Sequence, residues 1–302
     1  MPRDPSGSSS EGGGLRLHTE RIPADPVLDT ALSHAMLRRV AAGRVGESLR
    51  LYTPDDALLF SSLDARRPGY ARALALAERA GFPPVIRLAG GQAAAFLEES
   101  IAFAWAVPDA DAHLHIPDRF ERLAGWIAAS LRRLGLDARI GAVPGEYCPG
   151  EYSVNVGGRV KVMGVGQRVI RGGAHVGGVL TVGGTDRLRA VLGPVYEALG
   201  LEFRAETAGG VADFDAGLEL DDVLAAMREE LVESGRSLVP AIFDAGNRAE
   251  AEALAALHAP KPHDDPGRVL RASRRDAKAL LQAEDRPGGG TTREDVSNHG
   301  DS

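Results

Sequence analysis

A lysine, a cysteine and a pair of glycines are the residues of this chain whose types and settings point to chemistry. Lys161 lies in Gly158-Arg159-Val160-Lys161-Val162-Met163-Gly164-Val165-Gly166-Gln167-Arg168. Alternation with Val160 and Val162 puts its side chain on one face of a strand and theirs on the other. On a covered face such a lysine is costly unless it has a partner or a task; on an open one it protects a sheet edge. Cys148 occupies Pro144-Gly145-Glu146-Tyr147-Cys148-Pro149-Gly150, a loop rich in turn formers that leads into the same region. Its thiol is either a small buried hydrophobe or a nucleophile whose thiolate the Lys161 ammonium would stabilise. In Arg87-Leu88-Ala89-Gly90-Gly91-Gln92-Ala93, which follows an apolar stretch, the two glycines leave backbone N–H groups uncovered. A carboxylate, phosphate or acyl carbonyl can approach there, with Arg87 as a positive fork; the same pair also suits an ordinary turn.

These groups need a scaffold, and the hydrophobic pattern supplies one. Leu28, Ala31, Leu32, Ala35 and Met36 share a face of a helix over 25–40. Short strands are expected at 48–52 and 57–61 around a Thr53-Pro54-Asp55-Asp56 turn, then a helix over 70–80. Further strands read at 85–87, 92–96 and 101–106, the first two joined through Gly90-Gly91. Pro117 and Asp118 start the clearest helix, whose stripe of Phe120, Leu123, Ala124, Ile127, Leu131 and Leu134 ends at Gly135 and would cover a sheet.

A Gly157-Gly158 turn between 152–156 and 159–164 predicts a hairpin carrying Lys161. Strands at 168–170 and 175–182 follow, with helices over 186–199, 221–232 and 249–257. The order predicts an α+β fold, a mixed and mainly antiparallel sheet flanked by helices.

Polar, Gly-rich and charged compositions at 1–13 and 259–302 predict disordered tails around one folded domain at 14–258, with a weak helix around 271–282. At 302 residues and 44% hydrophobic, the chain can bury a sizeable core. A formal charge of -7 argues against a phosphate-backbone binder, so no nucleic-acid partner is expected. No apolar run approaches the ~20 residues of a membrane span, and neither a membrane partner nor a metal site is expected. With one cysteine the chain cannot form an internal disulfide. That usage suits a reducing compartment, and the cytoplasm is the expected location.

Taken together, residues 15–257 resemble the lipoate-protein ligase A and octanoyltransferase family, which is related more distantly to biotin-protein ligases. Leu49-Arg50-Leu51-Tyr52 is similar to that family's early strand, and 87–93 to its Arg-x-Thr-Gly-Gly-x-Ala signature. Lys161 to Arg168 resembles its Lys-x-x-Gly-x-x-Gln-Arg segment. Departures stand beside the matches. Ala89 replaces Thr, Ile86 stands where a second Arg often precedes Arg87, and Val176-Gly177-Gly178 occupies the usual His-Gly-Ser position, with His175 one residue out of register.

The resemblance implies a biotin/lipoate-ligase-like catalytic domain in which Lys161 and Cys148 are catalytic. Arg87, Gly90, Gly91, Gln92, Ala93, Gly164, Gln167, Arg168 and Gly177 would bind substrate. Two chemistries end in the same amide. In a transferase, which needs no cofactor, the Cys148 thiolate takes an octanoyl or lipoyl group from an acyl carrier protein thioester and passes it to a lysine of a lipoyl-carrier domain or H-protein. Lys161 would hold the thiolate and the developing oxyanion. In a ligase using lipoate, ATP and Mg2+, Lys161 would contact a lipoyl-adenylate. Transfer ranks first, because Cys148 shortly precedes the lysine-bearing hairpin. Arg168 and Arg171 would orient the acceptor, or simply solvate a strand edge. A third reading is a non-catalytic homologue that binds acylated carrier domains.

Overall fold

The computed structural model describes residues 14–261. In chain order these form β1 (Leu15–His18), α1 (Pro26–Ala41), β2 (Ser48–Tyr52), β3 (Ala57–Phe60), α2 (Tyr70–Arg79), β4 (Pro84–Ile86), β5 (Ala94–Phe96) and β6 (Ser100–Pro108). There follow α3 (Ile116–Arg133), β7 (Ala138–Ile140), β8 (Val154–Val156), β9 (Val160–Ile170), β10 (Gly173–Thr181), α4 (Thr185–Leu199), α5 (Leu220–Glu233), β11 (Leu238–Pro240) and α6 (Ala245–Leu254). The segment expected at 1–13, all but the first three residues of that at 259–302, and the helix around 271–282 lie outside the described residues.

Eight strands make one sheet in the order β11-β1-β2-β6-β10-β9-β8-β7, and β4-β3-β5 make a smaller one. Pairing in the large sheet is parallel at β11-β1-β2 and antiparallel from β2 to β7, in keeping with the α+β expectation. Alternation gives this sheet two different faces. One carries Leu49, Leu51, Phe103, Trp105, Met163 and Val176 into a core with α3 and α5. The α3 stripe of Leu123, Ile127 and Leu131 is fully enclosed there, each such side chain contributing about 1.5–3 kcal/mol. The other face carries Arg50, Ala104 and His175 and lies beneath α1, whose Ala31, Leu32, Ala35 and Met36 pack on Ala104 and Ala106. Asp25 caps α1 by accepting from the Leu28 N–H at 2.9 Å, ahead of Pro26 in its first turn. The small sheet packs with α2 and α4 in a separate cluster around Phe60, Tyr70 and Tyr196.

The stretch 87–93 joins β4 to β5 as read, and because both flank β3 the connection crosses over that strand. One expectation needs correction. β9 is one strand of 11 residues, not two pieces broken near Gly164 and Gly166. The short strands β1, β7 and β11 were not expected. The Gly157-Gly158 hairpin forms as read, with φ of +64° and +70°, the left-handed pair of a type I′ turn.

Candidate functional site

The site begins with an irregularity in β9. Val154 pairs with Met163 while the next residue, Asn155, pairs with Lys161, so Val162 is an extra residue on β9. Such a bulge shifts the alternation by one. Lys161 and Gly164 therefore look to the same side although three apart in sequence, and a Cβ on Gly164 would lie 3.3 Å from Lys161 Cε.

That side is closed. Lys161 is 1% exposed and its ammonium donates to Glu146 Oε1 at 3.1 Å, the Tyr147 carbonyl at 2.9 Å and the Cys148 carbonyl at 2.7 Å. The nitrogen also sits 4.6 Å from the centre of the Tyr147 ring. An ammonium has three protons, and all have acceptors. Burial pushes the lysine's pKa down, while Cys148 and Glu146 pull it back up. Glu146 is itself buried; it accepts from the Val143 and Gly150 N–H groups and the Ser153 hydroxyl at 2.8, 3.1 and 2.6 Å. This satisfied carboxylate folds 143–153 into a rigid turn around the ammonium.

Cys148 has φ of +41°, a conformation L-residues rarely adopt. Two side chains from distant elements hold it there. Its N–H donates to the Tyr196 hydroxyl of α4 at 2.8 Å, and its carbonyl accepts from Lys161. The Tyr196 hydroxyl in turn donates to the Ala93 carbonyl at 2.7 Å, tying the cysteine loop to the Gly-Gly loop. The sulfur accepts from the Gln92 N–H at 3.1 Å and lies 3.8 Å from Arg87 Nη1, which also donates to the Gln92 carbonyl at 2.8 Å. A backbone N–H and a guanidinium thus stand ready for negative charge on sulfur. The expectation that Lys161 contacts the thiol is corrected: the ammonium grips the cysteine's carbonyl, and the groups hydrogen-bonded to the sulfur are Gln92 and Arg87.

Gly91, at φ of +112°, is required here, because a Cβ would come within 2.9 Å of both Arg87 Nη1 and Cys148 Sγ. No such demand falls on Gly90, where a Cβ meets nothing within 4 Å. Ala93 contributes its carbonyl to Tyr196 and is otherwise core. Beneath Arg87 lies a cavity whose floor includes Gly164, Gly177 and Ala104 and whose walls include Lys161, Cys148 and His175. His175, buried with its Nδ1 unpartnered, is held neutral by burial, with its pKa lowered to about 3. Val176, at the position expected to carry histidine, belongs to the α3 core instead.

Two expected substrate residues stand apart. Gln167 faces α3, where its Oε1 accepts from Arg119 Nε at 2.9 Å and its Nε2 donates to the Ile116 carbonyl at 2.7 Å. It braces the sheet from the far side, one step out of alternation with Gly166, which meets Arg87 and Ala89. Arg168 is exposed toward the end of β9 and Arg171 in the turn after it, and neither lines the cavity. Glu146 and Tyr196 were missed. Glu146 sat in a stretch already singled out, whereas Tyr196 reads as one more apolar position of a helix. Among the described residues, no group of three or more His, Cys, Asp or Glu could hold a metal ion. Among them too, no helix is long and apolar enough to cross a membrane.

Comparison with known proteins agrees with this architecture. An octanoyl-[GcvH]:protein N-octanoyltransferase of Geobacillus kaustophilus is 28% identical over 162 residues, 54% of this chain and 57% of the relative. The chain thus spans a little over half the length of that curated relative. Among solved structures, a lipoate-protein ligase A bound with ATP superposes with a TM-score of 0.67 at 21% identity, over 81% of this chain and 95% of the other. A putative lipoate protein ligase of T. acidophilum with bound lipoic acid gives 0.66 at 20% identity, over 81% and 96%. These likenesses establish the fold. The sequence model of the Lipoyl protein ligase A/B catalytic domain matches residues 25–197, more than half of the chain and a span that includes Arg87, Cys148, Lys161 and Tyr196, and the chain belongs to that family.

Proposed function

We propose that residues 14–258 are a catalytic unit that moves an octanoyl or lipoyl group from an acylated carrier protein to a lysine of a lipoyl-carrier domain or H-protein, through a thioester on Cys148. The carrying observation is the setting of that sulfur. It sits at the mouth of a Gly- and Ala-floored cavity, 3.1 Å from an N–H and 3.8 Å from a guanidinium, on a backbone clamped at both its N–H and its carbonyl. The printed name of the Geobacillus relative, an octanoyl-[GcvH]:protein N-octanoyltransferase, supports octanoyl transfer between carrier proteins, with GcvH as the donor in that relative.

In the first step the thiolate attacks the acyl carbonyl. A carbon–sulfur bond forms at Cys148, the carrier's thioester bond breaks, and the carrier leaves as its own thiolate. In the second step the acceptor's neutral lysine amine attacks the acyl-enzyme, the amide forms with loss of a proton, and the cysteine departs as thiolate. Arg87 and the Gln92 N–H stabilise charge on sulfur before attack and after release. Lys161 works through the backbone: it fixes the Cys148 carbonyl and keeps positive charge under the reacting centre, where a low dielectric magnifies its field. Arg168 and Arg171, exposed toward the end of β9 and in the turn after it, would meet acidic groups of the acceptor. The cytoplasm, where a single thiol stays reduced, is the setting proposed.

The test is acceptor labelling by pure protein in parallel reactions, one with octanoyl carrier protein and one with lipoate, ATP and magnesium. Labelling from the acyl carrier without ATP, lost in Lys161→Ala, is the expected result. Labelling only with ATP would make the chain a ligase, and labelling in neither reaction would leave a carrier-binding protein.

A further inference from the structure

The cavity has a far end, and its position follows from strand register. Tyr52 on β2 pairs with Ala102 on β6, Ala102 with Val179 on β10, and Val179 with Gly164 on β9. Paired residues share a face, so these four form one row across the floor, and all four line the cavity. Three strand spacings separate Gly164 from Tyr52, roughly 14 Å. The chemical groups stand at the Gly164 end. The neighbouring row, Arg50-Ala104-Gly177-Gly166, is covered by Arg87 at its Gly166 end, where a Cβ would lie 2.9 Å from Nη2. An acyl chain whose carbonyl is at Cys148 is thereby directed along the first row toward Tyr52.

At that end Thr30 of α1, Tyr52, Leu59 of β3 and Phe96 of β5 close the slot. The same four side chains also line a second, smaller cavity beyond them, which includes Ile22, Pro26 and Pro54. The closure is therefore a single layer of side chains with space on either side. Tyr52 is fixed, with the Arg50 guanidinium 3.7 Å over its ring and a hydrogen bond to Asp29. Leu59 and Phe96 come from the small sheet and carry no polar anchor.

We propose that Thr30, Tyr52, Leu59 and Phe96 are a specificity wall that sets the longest acyl chain this site accepts. The proposal rests on the acyl-transfer reading above. Thinning the wall at Leu59 or Phe96 joins the two cavities and admits longer straight-chain acyl groups; thickening it at Leu59 or Thr30 shortens the slot.

The experiment measures acyl-enzyme formation by intact mass on the full chain, using hexanoyl, octanoyl, decanoyl and dodecanoyl thioesters of one acyl carrier protein. Leu59→Ala and Phe96→Ala should raise the dodecanoyl-to-octanoyl rate ratio about tenfold or more, the scale on which pockets discriminate methylenes. Leu59→Phe should move the preference toward hexanoyl by a similar factor. Thr30→Leu, on the half-buried side of α1, fills the slot from the opposite wall and carries the test if the small-sheet variants do not fold. Loaded variants whose chain-length ranking equals that of the unaltered protein would overturn the wall while leaving the transferase reading intact. Failure of the unaltered protein to load any thioester would instead remove that reading, and the wall with it.

Discussion

One oxygen, the hydroxyl of Tyr196, joins the loop bearing Cys148 to the loop bearing Gln92. It accepts from the Cys148 N–H and donates to the Ala93 carbonyl, so the distance from sulfur to the Gln92 N–H depends on a group that touches neither. Tyr196→Phe keeps the buried ring and removes only this link. Leaving the Cys148 N–H without a partner should cost about 1–3 kcal/mol of stability. Because the sulfur loses its alignment, alkylation of Cys148 by iodoacetamide and the kcat of acyl transfer should both fall, with KM for the donor little changed. An alkylation rate equal to that of the unaltered protein would show that Tyr196 serves only packing. At this scale the sequence displayed Lys161, Cys148 and Arg87 through their types and neighbours. It hid Tyr196 and Glu146, whose roles depend on partners 48 and 15 residues away.

The loop and hairpin that meet at the thiol depend on backbone freedom at particular glycines. Gly91→Ala puts a methyl within 2.9 Å of both Arg87 and Cys148 at φ of +112°. It should displace the loop and reduce acyl transfer by tenfold or more, on the scale of about 1.4 kcal/mol per tenfold. Gly90→Ala, with open space around its Cβ, serves as the comparison; equal kinetics for the two variants would contradict the crossing assigned to this loop. Elements with strong periodicity were legible, α3 through its apolar stripe and the β8–β9 hairpin through Gly157-Gly158. The edge strands β1, β7 and β11 are three or four residues long, too short for alternation to register. Gly164 and Gly166 read as breaks in β9, yet Gly164 leaves room on the cavity floor and Gly166 leaves room for Arg87 and Ala89 to lie on the strand. The Val162 bulge left no mark at all, since its pairing is set by the partner strand.

Across the whole molecule, burial keeps several histidines neutral. His34 and His175 have pKa values lowered to about 3 and His18 to about 4, from 6.5, with desolvation the largest cause in each. Between pH 6.5 and these values the unfolded chain takes up protons that the folded chain refuses, so stability falls as pH falls, by at most about 1.4 kcal/mol per pH unit for each group. Urea midpoints at pH 7.5 and 5.0 should show this loss, and His175→Gln should weaken the dependence; a midpoint independent of pH would contradict it. The fold brings a buried lysine, two loops and one thiol to a single cavity, and acyl capture on that thiol is the claim on which the rest depends. The most direct measurement is the intact mass of the protein after exposure to octanoyl carrier protein, followed by peptide mapping. One octanoyl group on Cys148, absent in Cys148→Ser, is the expected result. Full acceptor labelling by Cys148→Ser would contradict the account.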